Sequence, residues 1–451
     1  MPLTPISPSP LRFLGAGAAL SLLLLTFLAF GRSTYLSSHA GNGHILKSNL
    51  DSPTPSTQAP VHCDSHGAGN GTAAEWEFNV HRDGNNHGLS HEQCLSAFPK
   101  LFGDLDRVAE SRVDSGRLIS FDEVGELSRS GEDVNGDRGL VRGAVVGGEL
   151  YIISYGAMPY TFTRGKATLH SLNRALSAYP DRHTLPNIEF VFSTDDFFTP
   201  STGNLGPIWS YSKHPTDNNT WLMPDFGYWS WPEVSIGSYK EIRSRIGSVD
   251  SNVEFKSKKK QLAWRGSIST NPTIRGALLD ATRGKSWASI REINWSDPAD
   301  VQANALPMEE YCRYMFLAHA EGRSFSGRGK YLLNCNSVVV SHELTWLEAH
   351  HGVLIAEGPE ANYVRVSRDW SDLERKIKHL IDNPRVAERV AGNAVKMFRD
   401  RYLTPAAESC YWRYLIREYG RVSRFEPVLE ETKKGKMVRR GVLFDTWVLG
   451  S

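Results

Sequence analysis

The sequence predicts an α/β protein built from two doubly wound halves that face each other across a cleft. Three observations predict it. Short apolar runs alternate with helix-spaced segments in two separate blocks. The run Ile188 to Phe192 ends in Ser193-Thr194-Asp195-Asp196, as a buried parallel strand does when it delivers polar groups at its carboxyl end. The run Trp264-Arg265-Gly266-Ser267, with Arg275 soon after, reads as strand, tight turn and helix start.

The first block opens with polar sequence from Ser90 to Arg142, helical in parts, with an acidic Gly-rich loop at Ser130 to Gly139. Glu149 to Ser154 reads as a strand. Gly165 to Tyr179 carries Leu169, Leu172, Leu176 and Tyr179 at helical spacing. Ile208 to Tyr211 reads as another short strand, and Ser238 to Ile246 as a helix. Polar, basic sequence from Ser244 to Lys260 marks the boundary between the halves. The alternation then restarts: strand Gln261 to Trp264, helix Ile274 to Thr282, strand Tyr314 to Ala318, a helix after Arg328, and strand Ser337 to Val340. Val353 to Ile355 suggests one more strand. Asp369 to Ile381, Val386 to Tyr402 and Pro405 to Tyr419 are amphipathic helices.

The division expected is a short tail (1–12), a membrane anchor (13–30), a stem (31–75), a first half (76–250), a second half (251–425) and a mobile basic tail (426–451). Phe13 to Phe30 is uncharged, bracketed by Arg12 and Arg32, and just long enough to span a bilayer. Its small residues lie inside the apolar stretch, which favours an uncleaved signal anchor over a signal peptide. Residues 33–75 are rich in Ser, Gly, His, Pro, Asn and Thr and read as a flexible stem. Anchor, stem and body form the layout of a type II membrane protein of the secretory pathway. Sequons begin at Asn70, Asn218 and Asn294.

The 51 Lys and Arg nearly balance the 50 Asp and Glu, which argues against a nucleic-acid binder. Twelve Trp and sixteen Tyr suit sugar stacking, although a large core alone uses such residues. Five cysteines are too few for a disulfide scaffold. Cys63 with Cys94 and Cys312 with Cys335 are the pairings considered; Cys312, Cys335 and Cys410 could equally be reduced and buried. No cysteine–histidine spacing suits zinc.

Three constellations carry chemistry. A strand entering a helix through Gly266-Ser267, with Arg275 following, holds phosphate through backbone N–H groups, the helix dipole and a forked cation. It is also an ordinary strand–helix connection. Glu321-Gly-Arg-Ser-Phe-Ser-Gly-Arg-Gly-Lys330 is a second Gly-rich loop in the next unit, bringing Ser324, Ser326, Arg328 and Lys330. Two such loops with converging arginines suit a diphosphate. Asp195 and Asp196 supply a general base or a metal pair. Asp225, Tyr228, Trp229 and Trp231, in a Gly/Pro-rich loop, suit a sugar platform or a covering for the core.

In this order these pieces resemble the family-90 glycosyltransferases, which include fungal capsule-associated xylosyltransferases and animal protein O-glucosyltransferases. The matching segments are Phe190 to Phe197, Pro224 to Trp231, Lys260 to Ser267 with Arg275, Tyr314 to Lys330, Ser337 to Val340, Trp346 and Tyr363 to Val366. They cover roughly residues 150 to 400. The resemblance implies a GT-B-like fold and a UDP-sugar, of xylose or glucose, held mainly by the second half. It implies inversion at the anomeric carbon with no metal or other cofactor, a glycan or glycoprotein acceptor, and no nucleic-acid partner. By motif position, Asp196 is implied as the base and Ser267, Arg275 and Arg328 as the diphosphate contacts. Asp195 stands where the family often has a basic residue, and the Ser267–Arg275 spacing varies among members. The anchor and stem resemble those of fungal Golgi members. Rival readings are a glycoside hydrolase pairing Asp196 with Asp225 or Glu321, and a non-catalytic carbohydrate-binding protein.

Overall fold

A computed structural model describes residues 76–127, 139–157, 159–198, 206–234 and 236–450. The expected anchor, stem, acidic loop and Cys63 lie outside the described residues. Among the described residues, no helix is long and apolar enough to cross a membrane.

The fold is mixed α/β, organised on two main sheets. The first contains β1 (Leu140–Val146), β2 (Glu149–Gly156), β3 (Ile188–Ser193), β4 (Trp209–Ser210) and β5 (Trp221–Leu222). A small ribbon of β6 (Ser230–Trp231) and β7 (Ile236–Ser238) follows. The second sheet contains β8 (Lys259–Gly266), β9 (Ala288–Glu292), β10 (Tyr314–His319), β11 (Val338–His342) and β12 (Val364–Val366). A hairpin of β13 (Glu430–Lys433) and β14 (Lys436–Arg439) precedes β15 (Val442–Leu443).

The first sheet runs β15-β2-β1-β3-β4-β5 and is mixed, which corrects the expectation of a doubly wound first half. β1 pairs antiparallel with both β2 and β3, and only β3, β4 and β5 run parallel. The cause is local. β1 and β2 are joined by Gly147-Gly148, both at positive φ, and a two-residue link closes a hairpin but cannot carry a parallel crossover.

The second sheet is wholly parallel, in the order β12-β11-β10-β8-β9. It is buried on both faces, and its alternation shows how. Leu262, Trp264, Phe316, Ala318, Val338 and Val340 pack in one core cluster, whereas Ala263, Leu317 and Val339 pack in the other. From β8 the chain moves outward to β9, and then returns to β10 on the opposite side before continuing to β11 and β12. The reversal lies between β8 and β10, where parallel sheets open a crevice at their carboxyl ends.

The three-residue run Val353 to Ile355 does not form the expected strand. The Asn362 side chain donates to the Val353 carbonyl at 2.8 Å and accepts from the Ile355 N–H at 2.9 Å. These bonds hold the segment as a loop, and the strand forms later, at β12. The helix Pro384–Ala394 continues as a π-helical segment, Val395–Tyr402.

The helix Pro405–Arg421, capped by Thr404, follows the second half in the chain but packs on the first sheet. Tyr419 meets Trp209 and Trp221 edge-on at 5.5 and 5.2 Å, and the Tyr411 hydroxyl donates to the Leu222 carbonyl at 3.2 Å. The last residues also return there. Arg440 pairs with the buried Glu189 of β3, and β15 adds to β2. The segment expected to be a mobile basic tail is therefore docked through an ion pair and a strand.

Cys94 is bonded to Cys410 in that helix, rather than to Cys63, and Cys312 to Cys335. Replacing both Cys94 and Cys410 by serine is expected to lower unfolding stability by about 2–4 kcal/mol. Urea denaturation under non-reducing conditions checks this, and an unchanged midpoint would count against the bond.

Candidate functional site

The carboxyl ends of β8 and β10 frame a cavity of about 220 Å³, whose other wall comes from the helix, loop and ribbon residues of the first half. It is lined by Ser267 and Arg275 from the β8 turn, Ser326 and Arg328 from the β10 loop, and Asp196 and Trp231 from the first half. Six of the expected site residues thus meet around one space. Lys330, Asp195, Asp225, Tyr228 and Trp229 do not line it.

The β8 turn is built to hold a cation. Asn271 caps the helix Pro272–Thr282 by accepting from the Ile274 N–H, and proline starts it where no N–H is needed. One turn in, Arg275 is buried. Its guanidinium donates to the carbonyls of Ser267 (2.8 Å), Glu321 (3.0 Å) and Ala320 (3.4 Å), and to the Thr270 hydroxyl. Arg275 therefore ties the β8 turn to the β10 loop. Its carbonyl partners bear no formal charge to balance it, and burial together with Arg328 depresses its pKa to about 10. Arg265, in the turn itself, is spent on the carbonyls of Trp264, Ser289 and Asn304.

Arg328 is half-buried, and its Nε is shut off from water without an acceptor. Its guanidinium lies 5.7 Å from the Tyr311 ring centre. Among the described residues neither Arg275 nor Arg328 makes an ion pair. Two adjacent cations with no ion-pair partner, at a strand-order reversal and offset only at longer range by Asp196, make an anion site.

Asp196 follows β3, half-buried. Its carboxylate accepts from Arg164 at 2.9 Å, and its carbonyl accepts from the hydroxyls of Ser212 (2.8 Å) and Ser324 (3.4 Å). Ser324 belongs to the β10 loop, so that loop grips the acid's own backbone. Burial raises the Asp196 pKa above the ordinary aspartate value, and Arg164 opposes the rise. Asp195 turns aside: it accepts from the Asp196 N–H at 2.8 Å and sits 3.8 Å from Arg323. Each acid faces an arginine, a poor setting for a shared cation. Among the described residues, the grouping with metal-binding spacing is Glu348, His350 and His351, none of which lines the cavity.

Sequence reasoning missed Arg164 and Arg323, and it read Ser324 as an anion contact where the structure sets it on the Asp196 backbone. Arg164 lies on the helix Phe162–Ser177, with nothing in its spacing to tie it to Asp196. Arg323 stands inside the Gly-rich loop already singled out.

The expected sugar platform is largely internal. Lys330 is fully buried and binds both Asp225 oxygens, at 2.7 and 2.8 Å, and the Gly327 carbonyl. Neither residue is free for a ligand. Tyr228 is buried, with its ring 5.6 Å from the Lys330 ammonium. Trp229 stacks on His170 at 4.9 Å, with Arg174 also 4.9 Å from its ring. Trp231 alone faces the cavity. It packs over Gly327, where a Cβ would meet its ring at 3.1 Å, and its Nε1 is buried without an acceptor.

Glu321 is also committed. Its carboxylate accepts from the N–H groups of Thr345 and Trp346, the Thr345 hydroxyl and Arg368. Through it the β10 loop holds Trp346, which borders a second, larger cavity of about 670 Å³ with Phe197, Phe198 and His214. Phe197 and Phe198 directly follow Asp196, so the two cavities lie on either side of that acid's segment.

Comparison with known proteins matches residues 118–440 to the family model described as Glycosyl transferase family 90. Among curated relatives, the chain is 27% identical over 271 residues to an O-glucosyltransferase rumi homolog of Aedes aegypti, covering 55% of this chain and 64% of the relative. It is 23% identical over 269 residues to Protein O-glucosyltransferase 1 of Homo sapiens, covering 56% and 65%. It is 22% identical over 263 residues to O-glucosyltransferase rumi of Drosophila melanogaster, covering 54% and 62%. The matched region thus spans a little under two thirds of each relative.

The buried Asp225–Lys330 pair yields a test of its role. Asp225→Asn leaves the ammonium uncompensated and is expected to cost about 3–5 kcal/mol of stability, whereas the double change Asp225→Asn, Lys330→Met recovers much of that. Urea unfolding of the three proteins checks this. An Asp225→Asn protein of normal stability would contradict a structural role.

Proposed function

The chain belongs to glycosyl transferase family 90, and on that premise we propose that it transfers a sugar from a UDP-sugar to a hydroxyl of a glycan or protein acceptor, with inversion. The observation that carries this reading is Arg328, a cation whose buried Nε has no acceptor, beside Arg275, whose guanidinium is held by carbonyls and a hydroxyl. A diphosphate supplies the missing charge. Glucose is the first donor to test, because the relatives above are named O-glucosyltransferases; xylose is the second.

The proposed chemistry uses this chain's own groups. As the bond from C1 to the leaving diphosphate breaks, negative charge grows on the β-phosphate. Arg328, the Ser267 hydroxyl and the loop N–H groups stabilise it, with Arg275 holding the two loops together and adding its charge. This arrangement takes the place of a metal in the proposal. Asp196 takes the proton of the acceptor hydroxyl as that oxygen attacks C1 from the opposite face. Arg164 fixes the carboxylate's direction. The acceptor is assigned to the 670 Å³ cavity bordered by Phe197 and Trp346. GT-B architecture, with a nucleotide-binding second half, is part of the same reading.

A hydrolase has less support. Its second carboxylate would be Asp225 or Glu321, and both are buried and fully bonded. A secretory-lumen location is proposed from the two disulfides and the exposed sequon residues Asn218 and Asn294, and Golgi membrane attachment from the uncharged run 13–30.

Two measurements test the proposal. Calorimetry should detect UDP binding to the wild type, and Arg328→Ala should weaken it about tenfold or more. Asp196→Asn should keep UDP affinity while slowing transfer about 10²–10⁴-fold. Loss of UDP binding in Asp196→Asn would remove the base assignment, and normal kinetics in Arg328→Ala would remove the clamp.

The second measurement is the pH profile. Asp196 must be ionised to act, so the rate should fall on acidification through a pKa above the usual aspartate value. Arg164→Met removes the charge that opposes this rise, and the acid limb should move to still higher pH. A limb that stays in place would exclude Arg164 from control of the base.

A further inference from the structure

We propose that Trp295 is the stacking platform for the donor's nucleobase, an assignment that rests on the UDP-sugar reading above. Trp295 lines the donor cavity and is 48% exposed, whereas Phe226 and Phe325 in the same wall are 1% and 6% exposed. Trp231 is covered by Phe226 and Gly327. Among the described residues, no aromatic ring and no cation lies against the Trp295 ring. It is the large flat face that the protein leaves open in this cavity.

Its backbone is held firmly. The Ile293 N–H donates to the Gly266 carbonyl at 2.8 Å, which fastens the segment to the β8 turn. The Asn294 N–H donates to the Asp300 carboxylate at 2.7 Å, and the Ser296 N–H to the Asn294 side chain at 3.1 Å. An exposed indole on an anchored backbone, beside a cation pair, is suited to a planar heterocycle.

Strand order selects the nucleobase over the sugar. The loop after β10 touches Asp196 through Ser324. β8, the next strand, supplies Ser267 and leads to Arg275. β9 lies outside β8, and Trp295 stands just past its end. Along the sheet's carboxyl edge the sequence is therefore reacting acid, diphosphate clamp, indole. A donor with C1 at Asp196 and its diphosphate at the arginines extends its nucleoside toward β9.

Calorimetry with UDP and with inorganic pyrophosphate tests this on the wild type, Trp295→Ala and Trp295→Phe. Both changes fall on an exposed residue and keep the Asn294-x-Ser296 sequon. Trp295→Ala should weaken UDP about tenfold while pyrophosphate changes by less than about twofold, and Trp295→Phe should stay within about threefold of wild type for UDP. Unchanged UDP affinity in Trp295→Ala, or an equal loss for both ligands, overturns the assignment. A wild type that binds neither ligand overturns the donor reading itself, and the platform with it.

Discussion

Much of the site depends on how one buried cation is satisfied. Arg275 directs its guanidinium at three backbone carbonyls and a hydroxyl drawn from two loops, and among the described residues makes no ion pair. A carboxylate partner would have neutralised the charge and left the site indifferent to anions. Carbonyl dipoles fix the side chain but keep the charge on it. The crevice between β8 and β10 is thereby held open with its potential intact, and Arg328 adds to it from the second loop. Geometry and electrostatics are set by the same bonds.

The β10 loop extends this order outward. Ser324 reaches the Asp196 backbone, Glu321 collects the Thr345–Trp346 segment, and Lys330 anchors the loop's far end on Asp225. One ten-residue stretch thus touches the anion site, the acid and the border of the larger cavity. Its glycines and serines permit close approach, and its buried charges make the approach specific. A loop fixed at so many points can place reacting groups within fractions of an ångström.

The sequence disclosed those parts whose signal is local. β3 running into Asp196, the Trp264–Ser267 turn and the Gly-rich loop with Arg328 each read as strand, turn and charge within a dozen residues. Pairings across long separations were not legible. Lys330 looked like a phosphate ligand because its partner, Asp225, stands 105 positions earlier. Arg164 lies on a helix face with nothing in its spacing to connect it to Asp196. The first sheet was misread because the polar stretch from Ser90 to Arg142 suggests helix and runs into β1, so the hairpin closed by Gly147-Gly148 lost its first strand. Trp295 was overlooked since an isolated tryptophan carries no pattern; strand order alone gives it a neighbourhood.

The helix Pro405–Arg421 and the strand β15 complete the first sheet from the far end of the chain. During synthesis β1 through β5 therefore emerge long before the elements that cover them, and the whole second sheet is made in between. The first half must wait with apolar surface uncovered, while the second, assembled from contiguous sequence, can form as it appears. Cys94 is likewise kept waiting for Cys410, 316 positions later. A ribosome that stops a few dozen residues early yields a protein whose second sheet is intact and whose first cannot close.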